Sequence, residues 1–198
     1  MTATGVSSSE RKEALAAAAK QELDALVQRG VWMTGNAMSP IVLVKGQLNE
    51  AELGGAGLLS GADGAALRAS LSRLGWAPED FCALAAVAGA AEDGVVGAPT
   101  PGNPIAPELF REAIEALDPE TVVVLDDAAA GLMREAYANE LADIEDFNTA
   151  MLMPGLVAHV LGRRVLALDG FEAALATAAE KQRMWAYLKQ LPPLGAPY

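Results

Sequence analysis

The sequence predicts an α/β protein, a three-layer α/β/α domain built on a mainly parallel four-stranded central sheet. Two observations carry this. Four strand-like runs, Ile41–Val44, Phe81–Val87, Thr121–Leu125 and Arg164–Leu168, alternate with helical segments, the order that makes strands parallel through right-handed crossovers. Ile41–Val44 is apolar at every position, as a strand buried on both faces requires. At 198 residues, 52% of them hydrophobic, the chain is also long enough to bury a substantial core.

The elements follow in order. Residues 1–9 are small and polar and read as a flexible tail, with 10–198 forming the domain. Glu10–Arg29 is alanine-rich, carries Leu15, Leu23 and Leu26, and meets a natural stop at Gly30. Ser9 is placed to cap it. Val31–Pro40, with Gly35, Asn36 and Pro40, reads as a loop leading to the first strand. Glycines 54, 55, 57, 61 and 64 mark a second loop, and Ala65–Leu74 reads as a helix stopped by Gly75. After a turn at 77–80 comes Phe81–Val87, a strand by its apolar character although its alanines leave a helix open. Prolines 99, 101, 104 and 107 make residues 94–107 an extended crossing. Pro107 and Glu108 suit the first turn of a helix that runs to Leu117 and stops at Asp118-Pro119. Thr121–Leu125 is β-branched and sharply bounded. A helix over Ala128–Glu140, the strand Arg164–Leu168 and a helix from about Phe171 to Leu191 complete the chain.

Charge limits the partners. Fourteen Lys and Arg face 26 Asp and Glu, giving a net charge of −12 and a pI near 4.4. Such a surface repels phosphate backbones, on whose neutralisation non-specific DNA binding depends. Lys45, Arg68, Arg73, Arg163 and Arg164 are the candidates for a local basic patch, and duplex DNA binding is expected to be weak. The single cysteine, Cys82, excludes an internal disulfide and reads as a buried core residue. No basic-then-apolar leader and no run of about 20 apolar residues is present, so the expectation is a cytoplasmic protein with no membrane association.

Ile41–Val44 runs directly into Lys45-Gly46-Gln47-Leu48-Asn49, and a strand passing through a glycine turn toward a helix is where α/β proteins commonly place ligand sites. This block resembles the first motif of the uracil-DNA glycosylase superfamily. Other blocks match in the same order. Gly57-Leu58-Leu59-Ser60-Gly61 with the following helix, Pro101-Gly102-Asn103-Pro104, and Leu117-Asp118-Pro119 before Val122–Leu125 are similar to the iron–sulfur-type branch. Val165–Phe171 falls where that family has its last strand and His-Pro-Ser-type motif.

The resemblance implies the glycosylase fold and departs from the glycosylase chemistry. The family's water-activating acid or amide falls at Gln47 or Leu48. Leu48 accepts no proton, and Gln47 has no useful pKa for base catalysis. The proline next to it is replaced by Asn49. The histidine that stabilises the departing base is replaced by Asp169, an anion that would repel it, and Phe171 replaces the motif's polar end. The base-reading asparagine has no equivalent in Ala83–Val87, and the cluster-binding cysteines are absent. No cofactor and no metal is expected.

Gln47, Leu48, Asn49 and Asp169 are therefore candidate pocket positions, and Gly46, Gln47, Asp126, Asp169 and Phe171 candidate ligand contacts. Asp126-Asp127 follows a strand directly, a position that suits either a functional carboxylate or a helix N-terminus. His159, the lone histidine, excludes multi-histidine metal sites and reads as a structural residue among apolar neighbours. Trp76, Trp185 and Tyr187 read as core or interface. The glycine-rich segment 54–64 lacks the Lys-Ser/Thr ending of a phosphate loop. Two hypotheses follow: a non-catalytic module binding a protein or small-molecule partner, or a glycosylase-like hydrolase with altered active-site residues. A filled pocket favours the first, and a basic, open cleft of base size the second.

Overall fold

A computed structural model describes residues 8–77, 81–90 and 100–195. In chain order its elements are α1 (Ser8–Gln28), β1 (Met33–Gly35), β2 (Ile41–Lys45), α2 (Glu50–Leu53), α3 (Ala62–Arg73), β3 (Cys82–Ala85), α4 (Pro107–Leu117), β4 (Thr121–Val124), α5 (Asp127–Ala136), α6 (Ala138–Ala142), α7 (Phe147–Ala150), β5 (Val157–Val160), β6 (Arg163–Ala167), α8 (Phe171–Ala174) and α9 (Ala178–Leu188).

The sheet is six-stranded and mixed, in the order β1-β3-β2-β4-β6-β5, and not the four-stranded mainly parallel sheet that the sequence predicts. The four expected strands form its parallel centre, and β1 and β5 add an antiparallel strand at each edge. Both edges escape pattern reading for a physical reason. Met33-Thr34-Gly35 has no apolar periodicity and is a strand because the edge of β3 offers it hydrogen-bonding partners. β5 and β6 form a hairpin closed by Leu161 and Gly162, with φ of 49° and 83°. Two positive φ values are what a tight hairpin turn needs, yet Leu-Gly is a weak signal for one.

The central strands are buried on both faces, and alternate residues divide between two cores. Val42, Val44, Val122, Val124, Val165 and Ala167 face one core with α1, α4 and α5. Ile41, Leu43, Val123, Leu125, Leu166 and Leu168 face the other with α3, α8 and α9. Helices thus cover both faces, the layer order expected from the alternation of elements. Cys82 lies in the first core as predicted, and burial pushes its thiol up to about 11.

Several boundaries move. α1 includes Ser8 and Ser9, so Ser9 is not the N-cap; its hydroxyl donates to Glu13 at 3.2 Å. α3 starts three residues early, at Ala62. The predicted Ala128–Glu140 helix breaks at Tyr137 (φ −122°, ψ 31°), whose ring is fully buried and whose hydroxyl donates to Glu115 at 2.9 Å. The predicted Phe171–Leu191 helix divides where the Thr177 hydroxyl caps α9. Trp76 is a core residue whose indole donates to the Leu191 carbonyl at 2.7 Å, and Trp185 and Tyr187 are half-buried. The tail at 1–7, residues 78–80 of the predicted turn and residues 94–99 of the predicted crossing lie outside the described residues.

Candidate functional site

β2 and β4 are neighbours, but the chain leaves them toward opposite faces, from β2 to α3 and from β4 to α5. Their carboxyl ends therefore flank the crevice in which open α/β sheets place ligands. Here the chain fills that crevice itself. Asp126, 5% exposed, is the N-cap of α5, and its Oδ1 accepts the Ala129 amide at 2.9 Å. Its Oδ2 accepts the Gly46 and Gln47 amides at 2.8 and 2.9 Å. Backbone donors gathered at a helix start make a ready anion site, and the Asp126 carboxylate already occupies it. Gly46 permits the closure: a Cβ there would lie 2.7 Å from Ala128 Cβ, Ala129 N and Asp126 Oδ1.

Beside this plug sits Lys45, 3% exposed at the end of an otherwise apolar strand. An ammonium so deeply buried requires counter-charge, and three acids supply it. Its Nζ lies 2.7 Å from Glu52, 2.5 Å from Asp63 and 2.9 Å from Glu172. Burial works against the charge, yet hydrogen bonds to Asp63, Glu52 and Glu172 hold the lysine above its ordinary pKa. It is a fixed cation with no capacity to act as a base near neutral pH.

The predicted site residues divide. Gln47, Asp126 and Phe171 are brought together, with Lys45, Asp63 and Glu172, around a cavity of about 50 Å³, well below the roughly 300–1,000 Å³ of small-molecule sites. Gly46 contributes its amide to the Asp126 plug. The other positions go elsewhere. Asn49 is the N-cap of α2, in a reciprocal capping box with Glu52. Asp169 is exposed and accepts from Arg183 at 3.0 Å. Leu48 packs on the second core and lines a separate, mostly apolar cavity of about 350 Å³. That cavity lies between Trp32, Leu53, the segment Ala88–Ala90 that follows β3, and the turn Pro101–Gly102. The single ionisable side chain in its described wall is Glu52, and both oxygens are committed: Oε1 accepts the Leu59 amide at 2.8 Å, and Oε2 accepts Asn49 N and meets Lys45.

Of the candidate basic patch, Lys45 is neutralised as described. Arg163 is paired with Glu115 and Asp118. Arg164 donates to Thr121 and the Pro192 carbonyl, and Arg68 to the Leu59 carbonyl. Arg73 stands exposed on α3. These five do not converge on one surface. His159, read as a structural residue among apolar neighbours, is exposed: alternation along the edge strand β5 turns its imidazole out to solvent, away from the buried Ala158 and Val160. Asp127 is exposed in the first turn of α5, the helix-start alternative.

The acids around Lys45 escape sequence reading because Glu52, Asp63 and Glu172 lie on three different segments with no spacing in common. The available signal is Lys45 itself, a charge continuing an apolar strand. Among the described residues no group of three or more His, Cys, Asp or Glu could hold a metal ion, and no helix is long and apolar enough to cross a membrane. No protein-family model matches this chain, and no curated protein matches it with significance.

Proposed function

We propose that this protein is a non-catalytic α/β module of the uracil-DNA glycosylase-like kind, which binds a partner or small ligand and does not transform it. The observation that carries the reading is the Asp126 plug: the three amides that could hold an anionic ligand or transition state at the strand ends are already bound to a carboxylate of the same chain. The neighbouring groups support it. Lys45 is held charged by three acids, Leu48 has no chemistry, and Asp169 is committed to Arg183.

The 350 Å³ cavity beside Leu48 favours the alternative of an altered hydrolase, because it is within the size range of small-molecule sites. Proton transfer there would fall to Glu52, whose oxygens are both in use. The cavity therefore supports binding of an apolar or aromatic group over catalysis. The test is incubation of a uracil-containing single-stranded oligonucleotide with protein in excess, followed by alkaline cleavage at abasic sites. No product is expected. Product that is lost in the Asp169→Ala variant would overturn the proposal and identify an active glycosylase-like hydrolase.

A further inference from the structure

The surface formed by α6, α7 and the chain beyond them departs from ordinary exposed surface. Phe147 is 73% exposed, Met151 41% and Met153 49%. Phe147 and Met151 line a groove of about 390 Å³ together with Leu141, Ile144 and Arg134. Exposed apolar side chains concentrated at one place mark interaction surfaces. Methionine and phenylalanine are enriched in interface cores, and methionine adapts its shape to varied partners. The groove also has a charged edge. Asp143, Glu145 and Asp146 are all exposed, and Glu145 lines the groove. Hydrogen bonds from the Thr149 hydroxyl and amide hold the Asp146 carboxyl below its ordinary range. Arg134, the cation in the lining, donates to the Met151 carbonyl at 3.3 Å.

We propose that this groove is a docking surface for a cationic amphipathic helix of another protein, its apolar face seated on Phe147, Ile144 and Met151 and its Lys or Arg side chains on the Asp143–Asp146 edge. Charge selects this occupant. A second copy of the chain would set Asp143, Glu145 and Asp146 against acids of its own kind on a molecule of net charge −12, and an anionic lipid surface would be repelled in the same way. A basic helix is attracted at long range by the whole molecule and locally by the edge, and lays apolar anchors into the groove. The groove and the strand-end plug share no lining residue, so the inference stands whether or not that site does chemistry.

The test is fluorescence anisotropy of the full chain with a labelled Leu/Lys peptide of about 15 residues, long enough for helix formation and spaced to be amphipathic. A scrambled peptide of the same composition and a Leu/Glu analogue are the comparison probes. The Leu/Lys helix is expected to bind, and Phe147→Ser to weaken it by about tenfold or more. Phe147 is exposed, so circular dichroism should show that variant still folded. Asp143→Lys with Glu145→Lys should weaken the Leu/Lys helix and improve the Leu/Glu analogue. The proposal is overturned by equal binding of the scrambled peptide, which would mean attraction to bulk acidity alone, or by an unchanged Phe147→Ser affinity. It is also overturned if the wild type sediments as a dimer that Phe147→Ser dissociates, which would make a second copy the occupant.

Discussion

The Asp126 carboxylate and the Gly46 amide meet at 2.8 Å across the carboxyl ends of β4 and β2, joining the two strands at the point where the chain departs to opposite faces. One carboxylate there serves three amides from two segments.

Removing it should therefore cost more than an ordinary helix cap. Asp126→Ala leaves three amides without their acceptor, and a loss of about 3–5 kcal/mol is expected from charge-assisted hydrogen bonds and the lost N-cap. Asp126→Asn, which keeps an acceptor oxygen, should lose about half as much. Gly46→Ala should also destabilise, by about 1–3 kcal/mol, because its Cβ has no space. Urea midpoints measure all three, and a wild-type midpoint for Asp126→Ala would refute the plug.

Lys45→Met should be among the most damaging single changes in the protein, at about 3–5 kcal/mol, because it leaves the buried carboxylates of Glu52 and Asp63 without counter-charge. Adding Glu52→Gln and Asp63→Asn to it should recover much of the loss. The sign of the pH dependence follows from the raised lysine pKa. Stability contributed by a raised cation is complete below its unfolded value, about 10.4 for lysine, and disappears only above it. The gap between wild type and the Lys45→Met, Glu52→Gln, Asp63→Asn triple variant, which keeps neither buried carboxylate to titrate, should accordingly stay flat from pH 6 to about pH 9. A gap that closes within that window would show that the lysine is not held charged.

Cys82 should be inert in the folded protein, since burial pushes its thiol up to about 11 and the thiolate is the reactive form. Native protein should leave a thiol-specific chromogenic disulfide unreacted at pH 8 and react fully in urea. The raised value also means that its contribution to stability is complete below about pH 9 and declines toward pH 11, by on the order of 2 kcal/mol. Cys82→Ala should lack that alkaline decline. Rapid labelling of the native protein would contradict the burial.

Duplex DNA should bind weaker than about 10 μM at physiological salt, because the surface supplies few phosphate contacts. Arg163 is spent on acids, and Arg68 and Arg164 on groups of the chain. Anisotropy titrations across a salt series test this. Micromolar affinity with a steep salt slope would reveal a basic cleft and shift the reading toward a DNA-acting enzyme.

The amino-acid sequence by itself determined the α/β class, three of the four central strands and the helix from Pro107 to Leu117, because continuous apolar runs and a proline-led helix start are local signals. The alanines of Phe81–Val87 left a helix open until pairing with β1 and β2 decided it. The two edge strands were decided by tertiary structure. Met33–Gly35 pairs because β3 has a free edge, and Val157–Val160 because Leu161 and Gly162 adopt positive φ. Helix breaks at Tyr137 and Thr177 likewise depend on what the core admits. At the candidate site, the sequence marked Gly46, Gln47 and Asp126 by their place after strands, but not that Asp126 would turn inward and close the crevice. Nor could it assign Glu52, Asp63 and Glu172 to Lys45. Ion pairs of this kind join residues up to 127 positions apart, and only folding sets such charges within hydrogen-bonding distance.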